Sequence, residues 1–289
     1  MSAPEKLWTI LEILQWTISF FKEKQIEPPR LTAEVLLAHV LKTDRMRLYV
    51  HFDQPVTPSE RDEFKRLIRA RAQGTPTQYL TGRQEFWSLE FQVAPGVLIP
   101  RPETEHLVEA AAARAKSLTE PAILDIGTGS GVIAISLRKE LPHAVIFASD
   151  ISGDALNIAR RNAERLFPDG HRITFAQGNL LAPFPGQTFD LILWNPPYIS
   201  ADDYAALPRE IREHEPQIAL LGGEDGLDAY RRLLAAAGNF LRPNGAVMVE
   251  IGQGQAAAVT RIFEQRAFAI ERVILDYAGI ERVLVGVRS

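Results

Sequence analysis

From residue 122 onward, short apolar runs alternate with amphipathic helical patterns, and this alternation restricts the chain more than any other feature. The runs lie at 122–126, 144–149, 172–176, 189–194 and 246–251, with helical patterns between them, notably at 154–166 and 227–241. Parallel strands need a crossover long enough to hold a helix, and such helices cover both faces of the sheet. The region is therefore predicted to be α/β, a doubly wound, mostly parallel sheet. The final stretch, 268–275 and 282–287 around Gly279, reads as two strands joined by a turn.

Residues 1–75 carry a different texture, helix after helix. Leu7, Ile10, Leu11, Leu14, Ile18 and Phe21 recur at steps of three and four, predicting one buried helical face. A second apolar stretch holds Leu31, Val35, Leu36, Val40 and Leu41. A third helix is announced by Thr57 as cap, Pro58 at the first helical position and Glu60 where a capping box needs its carboxylate; Phe64, Leu67 and Ile68 form its apolar stripe. Residues 76–100 are rich in aromatic and β-branched side chains broken by Gly82, Pro95, Gly96 and Pro100, which predicts short strands or a hairpin. The expected organisation is a helical domain at 1–75, a hairpin linker at 76–100 and an α/β domain at 101–289.

Cysteine is absent, which excludes disulfides, thiolate metal sites and cysteine nucleophiles. Lys and Arg number 32 against 36 Asp and Glu, a formal net charge of −4, so the chain lacks the global basic field typical of proteins that grip duplex DNA. No apolar run approaches the roughly 20 residues of a membrane span. The opening MSAPEKLWTI has no basic region followed by an apolar core, so no secretory leader is predicted and the expected location is the cytoplasm. None of the six histidines stands at ligand spacing from another, and no metal is expected.

The first apolar run ends in DIGTGSG, residues 125–131. Glycines at 127, 129 and 131 between a buried strand and a helix allow backbone to approach a ligand without Cβ interference. In open α/β sheets ligands bind at the carboxyl ends of the strands, where strand order reverses. The dinucleotide fingerprint would place its third glycine at the position of Val132; the spacing here is Gly-x-Gly-x-Gly. Asp150, at the end of the second strand, can accept hydrogen bonds from both ribose hydroxyls and suits NAD and S-adenosylmethionine alike; its other reading is a cap for the helix near Asp154. After the third strand, Leu180 offers a surface for an adenine ring and Asn179 an acceptor for its amino group.

The fourth strand runs directly into Asn195-Pro196-Pro197-Tyr198. Two prolines stiffen the turn and contribute no N–H, leaving carbonyls free to accept. The Asn195 side-chain oxygen and the Pro196 carbonyl can each accept one hydrogen bond from a substrate –NH2, while Tyr198 offers a flat face to the planar group bearing it. Such an arrangement suits methylation of an amide or aromatic amine, whose nitrogen needs chiefly to be held and aligned. No His or carboxylate dyad stands near the motif in the sequence, in keeping with chemistry that needs no general base before transfer. The same Asn-Pro-Pro-aromatic pattern serves enzymes that methylate adenine N6 in nucleic acid, the alternative reading.

Over nearly its whole length the sequence resembles the release-factor glutamine methyltransferases. The likeness is carried by GTPTQYLTG, EFWSLEF, GVLIPRPETE (96–105), DIGTGSG (125–131), NPPYI (195–199), HEPQIALLGGEDGL (214–227), EIGQGQ (250–255) and DYAGIERV (276–283). The resemblance implies a class I methyltransferase sheet of seven strands with the last antiparallel, and a small N-terminal helical bundle joined by a β-hairpin. It implies S-adenosylmethionine as cofactor, contacted by Gly127, Thr128, Gly129, Ser130, Gly131, Asp150, Asn179, Leu180 and Asn195. The implied substrate is the glutamine of the Gly-Gly-Gln loop in class I peptide chain release factors, held by Asn195, Pro196, Pro197 and Tyr198, with Asn195, Pro196 and Tyr198 as the catalytic group. No nucleic-acid or membrane partner is expected, and the chain is expected to act as a monomer. Many members carry Asp where this chain has Asn179, which keeps a side-chain acceptor. The 99–105 segment separates the release-factor branch from the ribosomal-protein glutamine methyltransferases, which share Asn-Pro-Pro-Tyr. Glu103 and Thr104 there either line the cofactor cleft or simply open a helix, with Glu103 and Glu105 favouring its dipole. Arg61, Lys65, Arg66, Arg69 and Arg71, mixed with Glu60, Asp62 and Glu63, read either as a docking patch or as a solvated face. Asp276 and Arg282 flank the last turn as a structural pair.

Overall fold

The computed structural model describes residues 7–288; of the stretch MSAPEKLWTI, which predicts no leader, the first six residues lie outside them. The chain forms two compact units. One comprises the residues up to Gly82 together with Arg209–His214, and the other Arg83–Pro208 with the residues from Glu215 onward.

The first unit is helical: α1 (Ile10–Glu23), α2 (Pro29–Val40), α3 (Arg45–Val50), α4 (Pro58–Ala72) and α5 (Thr77–Thr81). The capping box of α4 forms as the sequence indicates, with Glu60 N donating to Thr57 and Thr57 N to Glu60. The stripe of α1 is rotated from the predicted one. Ile10, Ile13, Leu14, Thr17 and Phe21 are buried, while Leu7 and Leu11 face solvent. Thr17 takes an apolar position because its hydroxyl donates to the Ile13 carbonyl at 2.7 Å, which removes the penalty of burying it. In α2 the core residues are Ala33, Leu36 and Leu37, with Leu31 exposed. Residues 77–81, expected as strand, are helix. Arg71 leaves the expected basic face: it is buried and pairs with Glu210 at 2.6 Å.

The second unit begins with a hairpin, β1 (Arg83–Phe86) and β2 (Leu89–Gln92), followed by the sheet β3 (Ala122–Ile126), β4 (Val145–Asp150), β5 (Ile173–Gln177), β6 (Phe189–Trp194), β7 (Leu241–Glu250), β8 (Phe268–Leu275) and β9 (Glu281–Arg288). The remaining helices are α6 (Glu105–Ala115), α7 (Val132–Glu140), α8 (Gly153–Leu166), α9 (Ala201–Ala206), α10 (Arg209–His214, in the first unit), α11 (Asp228–Ala237) and α12 (Ala256–Glu264). Strand order is β5-β4-β3-β6-β7-β9-β8, parallel through β7 and antiparallel at β9. The doubly wound, seven-stranded fold thus forms as expected. β7 starts earlier than predicted and α11 ends earlier, at Ala237. Asp276 and Arg282 pair across the last turn at 2.9 Å.

Successive strand residues serve opposite faces, as the two-residue period requires. Leu191 and Leu193 join a core with α6 and α7, whereas Ile192 and Trp194 join one with α11 and α12. Both faces are covered, which is why the strands read as continuous apolar runs. No helix among the described residues is long and apolar enough to cross a membrane.

Candidate active site

Register alone assembles the site. Ser149, Ile126, Trp194 and Val249 pair laterally across β4, β3, β6 and β7, so the residues that follow them, Asp150, Gly127, Asn195 and Glu250, stand in one row at the carboxyl edge of the sheet. Strand order reverses between β3 and β6, where an open α/β sheet leaves its crevice. A cavity of about 330 Å³ lies there, lined among others by Gly127–Ser130 of the glycine loop, Asp150, Asn179, Leu180, Asn195 and Pro197. Its size is that of small-ligand sites.

The glycine loop divides its labour. Gly127 and Gly129 line the cavity with φ of 61° and 56°, a backbone region that other residues enter at a cost. Gly129 N donates to Asp150 Oδ2 at 2.9 Å, which ties the loop to the acidic residue of the next strand. Gly131, expected to touch the cofactor, is outside the lining set. It caps α7 with φ of 88°, and a Cβ there would come within 2.8 Å of Ile135 and 3.2 Å of Ala159. Its glycine serves helix packing.

Asp150 is not the cap of α8; Ser152 holds that place by accepting from Ala155 N. The second Asp150 oxygen accepts from Ser152 N at 2.9 Å. Each carboxylate oxygen keeps a further lone pair for a ligand hydroxyl. Leu180 lines the cavity from a left-handed backbone, φ 51°, a strained conformation of the kind concentrated at functional sites. Asn179 Oδ1 accepts from Arg232 at 3.1 Å. A paired acceptor for a diol, an apolar wall beside it and a loop without a Cβ at 127 and 129 fit a nucleoside-bearing cofactor.

Asn195 is half-buried, and its Nδ2 donates to Thr104 Oγ1 at 3.0 Å. That anchor points the amide oxygen the other way, and no described residue donates to it or to the Pro196 carbonyl. Pro197 lines the cavity, whereas Pro196 and Tyr198 stand outside the lining set. Pro196 is buried, and the Tyr198 hydroxyl donates to Glu250 Oε1 at 3.4 Å. Burial, with repulsion from Glu250 next, raises the Tyr198 phenol above its ordinary range.

Three contacts hold this corner that motif reading did not anticipate. The segment 220–222 clamps it, Gly222 N donating to the Ile199 carbonyl at 2.8 Å and Ile199 N to that of Leu220 at 3.0 Å. Gln255 Nε2 donates to the Tyr198 carbonyl at 2.9 Å. Behind Asn195 lies Glu250, 2 % exposed, accepting from Thr104 Oγ1 at 2.7 Å. A single carboxylate, not a dyad, therefore stands near the motif, two hydrogen bonds from Asn195. Burial first, then repulsion from Glu103, pushes Glu250 up to about 7 against the hydrogen bonds of Thr104 and Tyr198 and the charge of Arg282.

Within residues 99–105, Thr104 meets both readings and Glu103 only that of opening a helix. Pro102–Thr104 form a short 3-10 turn that opens α6, and Thr104 also lines the cavity. Glu103 is outside the lining set. Glu215, 5 % exposed, pins the segment by accepting from Ile99 N at 3.1 Å and from Arg101 at 2.6 Å. Asp125, on β3 just before the loop, accepts from Thr128 at 2.6 Å and Ala134 N at 3.2 Å while its other oxygen has no partner; burial raises it to about 7.

Residues 12–82 match the PrmC N-terminal domain family, and residues 103–214 the methyltransferase small domain family. The release factor glutamine methyltransferase of Geobacter sulfurreducens is 46 % identical over 286 residues, 99 % of each chain. That of Rhodopirellula baltica is 42 % identical over 283 residues, covering 96 % of this chain and 95 % of the relative. The chain belongs to the release factor glutamine methyltransferase family. Its fold is shared more widely. A ribosomal protein L11 methylase from Lactobacillus delbrueckii subsp. bulgaricus superposes with a TM-score of 0.50 at 23 % identity, over 68 % of this chain and 84 % of that one. A methyltransferase from Pyrococcus furiosus gives 0.52 at 18 %, over 70 % and 89 %.

Proposed function

We propose that the protein methylates the side-chain amide nitrogen of a glutamine in peptide chain release factors, the Gly-Gly-Gln loop glutamine of class I factors, using S-adenosylmethionine. The observation that carries the chemistry is the anchoring of Asn195: with Nδ2 given to Thr104, Oδ1 is left to accept from a substrate –NH2 beside the glycine-loop cavity. The cofactor would be held by the backbone of 127–130, by Asp150 through its ribose hydroxyls, and by Asn179 and Leu180 at its adenine. When bound, it supplies an electrophilic sulfonium methyl group.

The chain's part is alignment. Asn195 Oδ1 and the Pro196 carbonyl each accept one amide N–H, which points the nitrogen lone pair into the cavity. Holding reactants in this way is worth up to about 7–11 kcal/mol of barrier. Acceptors on both N–H bonds also hold a positively charged, pyramidal nitrogen more tightly than a neutral planar one, so they favour the transition state over the ground state. The nitrogen, once it has gained a substituent, is strongly acidic and gives its proton to water. Tyr198 supports the corner through its carbonyl and hydroxyl. The helical N-terminal unit docks the protein substrate, and the enzyme works as a monomer in the cytoplasm.

The test uses the purified full chain with methyl-labelled cofactor and two acceptors, a release factor and its loop Gln→Ala variant. Label enters only the first; equal labelling of both refutes the target residue. Asn195→Ala lowers turnover at least tenfold, because one of two acceptors is lost.

A further inference from the structure

A side-chain amide has two ends of nearly equal shape and opposite chemistry: Oδ1 accepts, Nδ2 donates. Only one orientation of Asn195 serves an –NH2 substrate, and Asn195 itself does not decide which is adopted. Its neighbour Thr104 carries one proton and is 2 % exposed, so water does not compete for it. That proton goes to Glu250 Oε2 at 2.7 Å. With its proton committed, the Thr104 oxygen can only accept, and the group facing it at 3.0 Å must be a donor.

We propose that Glu250 is a positioning residue which, through the Thr104 hydroxyl, dictates that Asn195 presents its oxygen to the substrate amide. The inference rests on the reading of Asn195 as the substrate acceptor. An ionised Glu250 is acceptor-only, which gives the chain Asn195→Thr104→Glu250 a single direction. A protonated Glu250 can donate to Thr104, freeing that hydroxyl to donate to Oδ1 of a rotated Asn195. Nδ2 would then face the substrate –NH2, donor against donor. The groups around Glu250 are Glu103 and Thr104 on the 99–105 segment, Tyr198 on the corner, Arg282 on β9 and Tyr230 on α11, whose hydroxyl donates to the Glu250 backbone carbonyl. Burial outweighs the single cation among them, Arg282, and pushes the carboxyl up to about 7.

The experiment measures kcat and KM for a release factor across pH 5.5–9 with the wild type, Glu250→Gln, Thr104→Val, Thr104→Ser and Asn195→Ala. In the wild type, kcat falls on the acid side with a midpoint near 7. Glu250→Gln, whose amide can turn either end to Thr104 and so no longer fixes the direction, is about two- to tenfold slower at pH 8 and loses that limb, while its cofactor affinity, measured by calorimetry without release factor, stays within about twofold because Glu250 is outside the cavity lining. Loss of the limb in this variant assigns it to Glu250 rather than Asp125. Thr104→Val behaves like Glu250→Gln, and Thr104→Ser regains the limb. A Glu250→Gln enzyme with wild-type kcat and an intact limb overturns the proposal while a slow Asn195→Ala leaves the acceptor reading standing. Wild-type turnover of Asn195→Ala overturns both. Should Glu250→Gln not fold, Thr104→Val decides: an unchanged rate and limb there overturn the proposal.

Discussion

Gly226→Ala separates contact from strain at the substrate corner. Gly226 has φ of 76°, and a Cβ built on it falls 2.4 Å from the Tyr198 carbonyl oxygen and 2.9 Å from Gln255 Nε2. Ordinary contact begins near 3.4 Å, so the Tyr198 carbonyl must retreat by about 1 Å. It cannot do so alone. Pro196 and Pro197 have fixed φ, so displacement at Tyr198 is passed back toward Asn195 rather than absorbed between them. Misplacement of about 1 Å costs on the order of 10²-fold in rate. The left-handed backbone adds roughly 1–2 kcal/mol of strain, or about 2–8 °C in Tm for a domain of this size. Gly254→Ala is the control, because Gly254 has φ of 79° but nothing lies within 4 Å of its added Cβ. Initial rates with labelled methyl donor and release factor, paired with thermal melts, give the comparison. Both variants melt lower; only Gly226→Ala loses turnover, by about 10–100-fold, with cofactor affinity retained. Wild-type turnover in Gly226→Ala, or an equal loss in Gly254→Ala, would refute the reasoning.

Two further outcomes follow from the glycine loop and the strand below it. Gly131→Ala, with its Cβ pressed on Ile135 and Ala159 and its backbone left-handed, lowers thermal stability by about 2–4 kcal/mol, read by denaturant titration. Asp125 has a folded value of about 7, above the 3.8 of an unfolded aspartate. The folded chain therefore binds the proton more tightly; the stability this group contributes is full below pH 4 and is lost as pH rises through 7. Asp125→Asn flattens that part of the fall, and a Tm difference from wild type that does not change between pH 4.5 and 8 contradicts the assignment.

What could be read from the sequence was what local pattern encodes. The runs at 122–126 and 189–194 match β3 and β6 because both faces of those strands are buried, so each reads as a mostly apolar run interrupted by one aspartate, Asp125 and Asp190. The start of β7 was illegible for the opposite reason: Pro243, Asn244 and Gly245 carry turn chemistry, yet the strand passes through them with a register shift opposite Phe189 and Leu191. The apolar spacing of α1 does not report its buried face because a polar residue, Thr17, enters the core by donating its hydroxyl to the Ile13 carbonyl. The burial of Arg71 depends on Glu210, far along the chain, which no periodicity reports. Asp150 and Asn195 could be placed by counting to the ends of apolar runs. Glu250 was open to the same counting, a single acid closing the run AVMV, but its importance emerges only when Thr104 arrives from the other side of the cavity.

The interleaving of the two units has a practical consequence for anyone cutting the gene. A fragment ending at Gly82 would omit Glu210 and leave a buried guanidinium uncompensated, and its removal from the rest would strand six residues between Pro208 and Glu215 without the helices they pack on. Exchanging the front end for that of a relative therefore requires transplanting α10 with it.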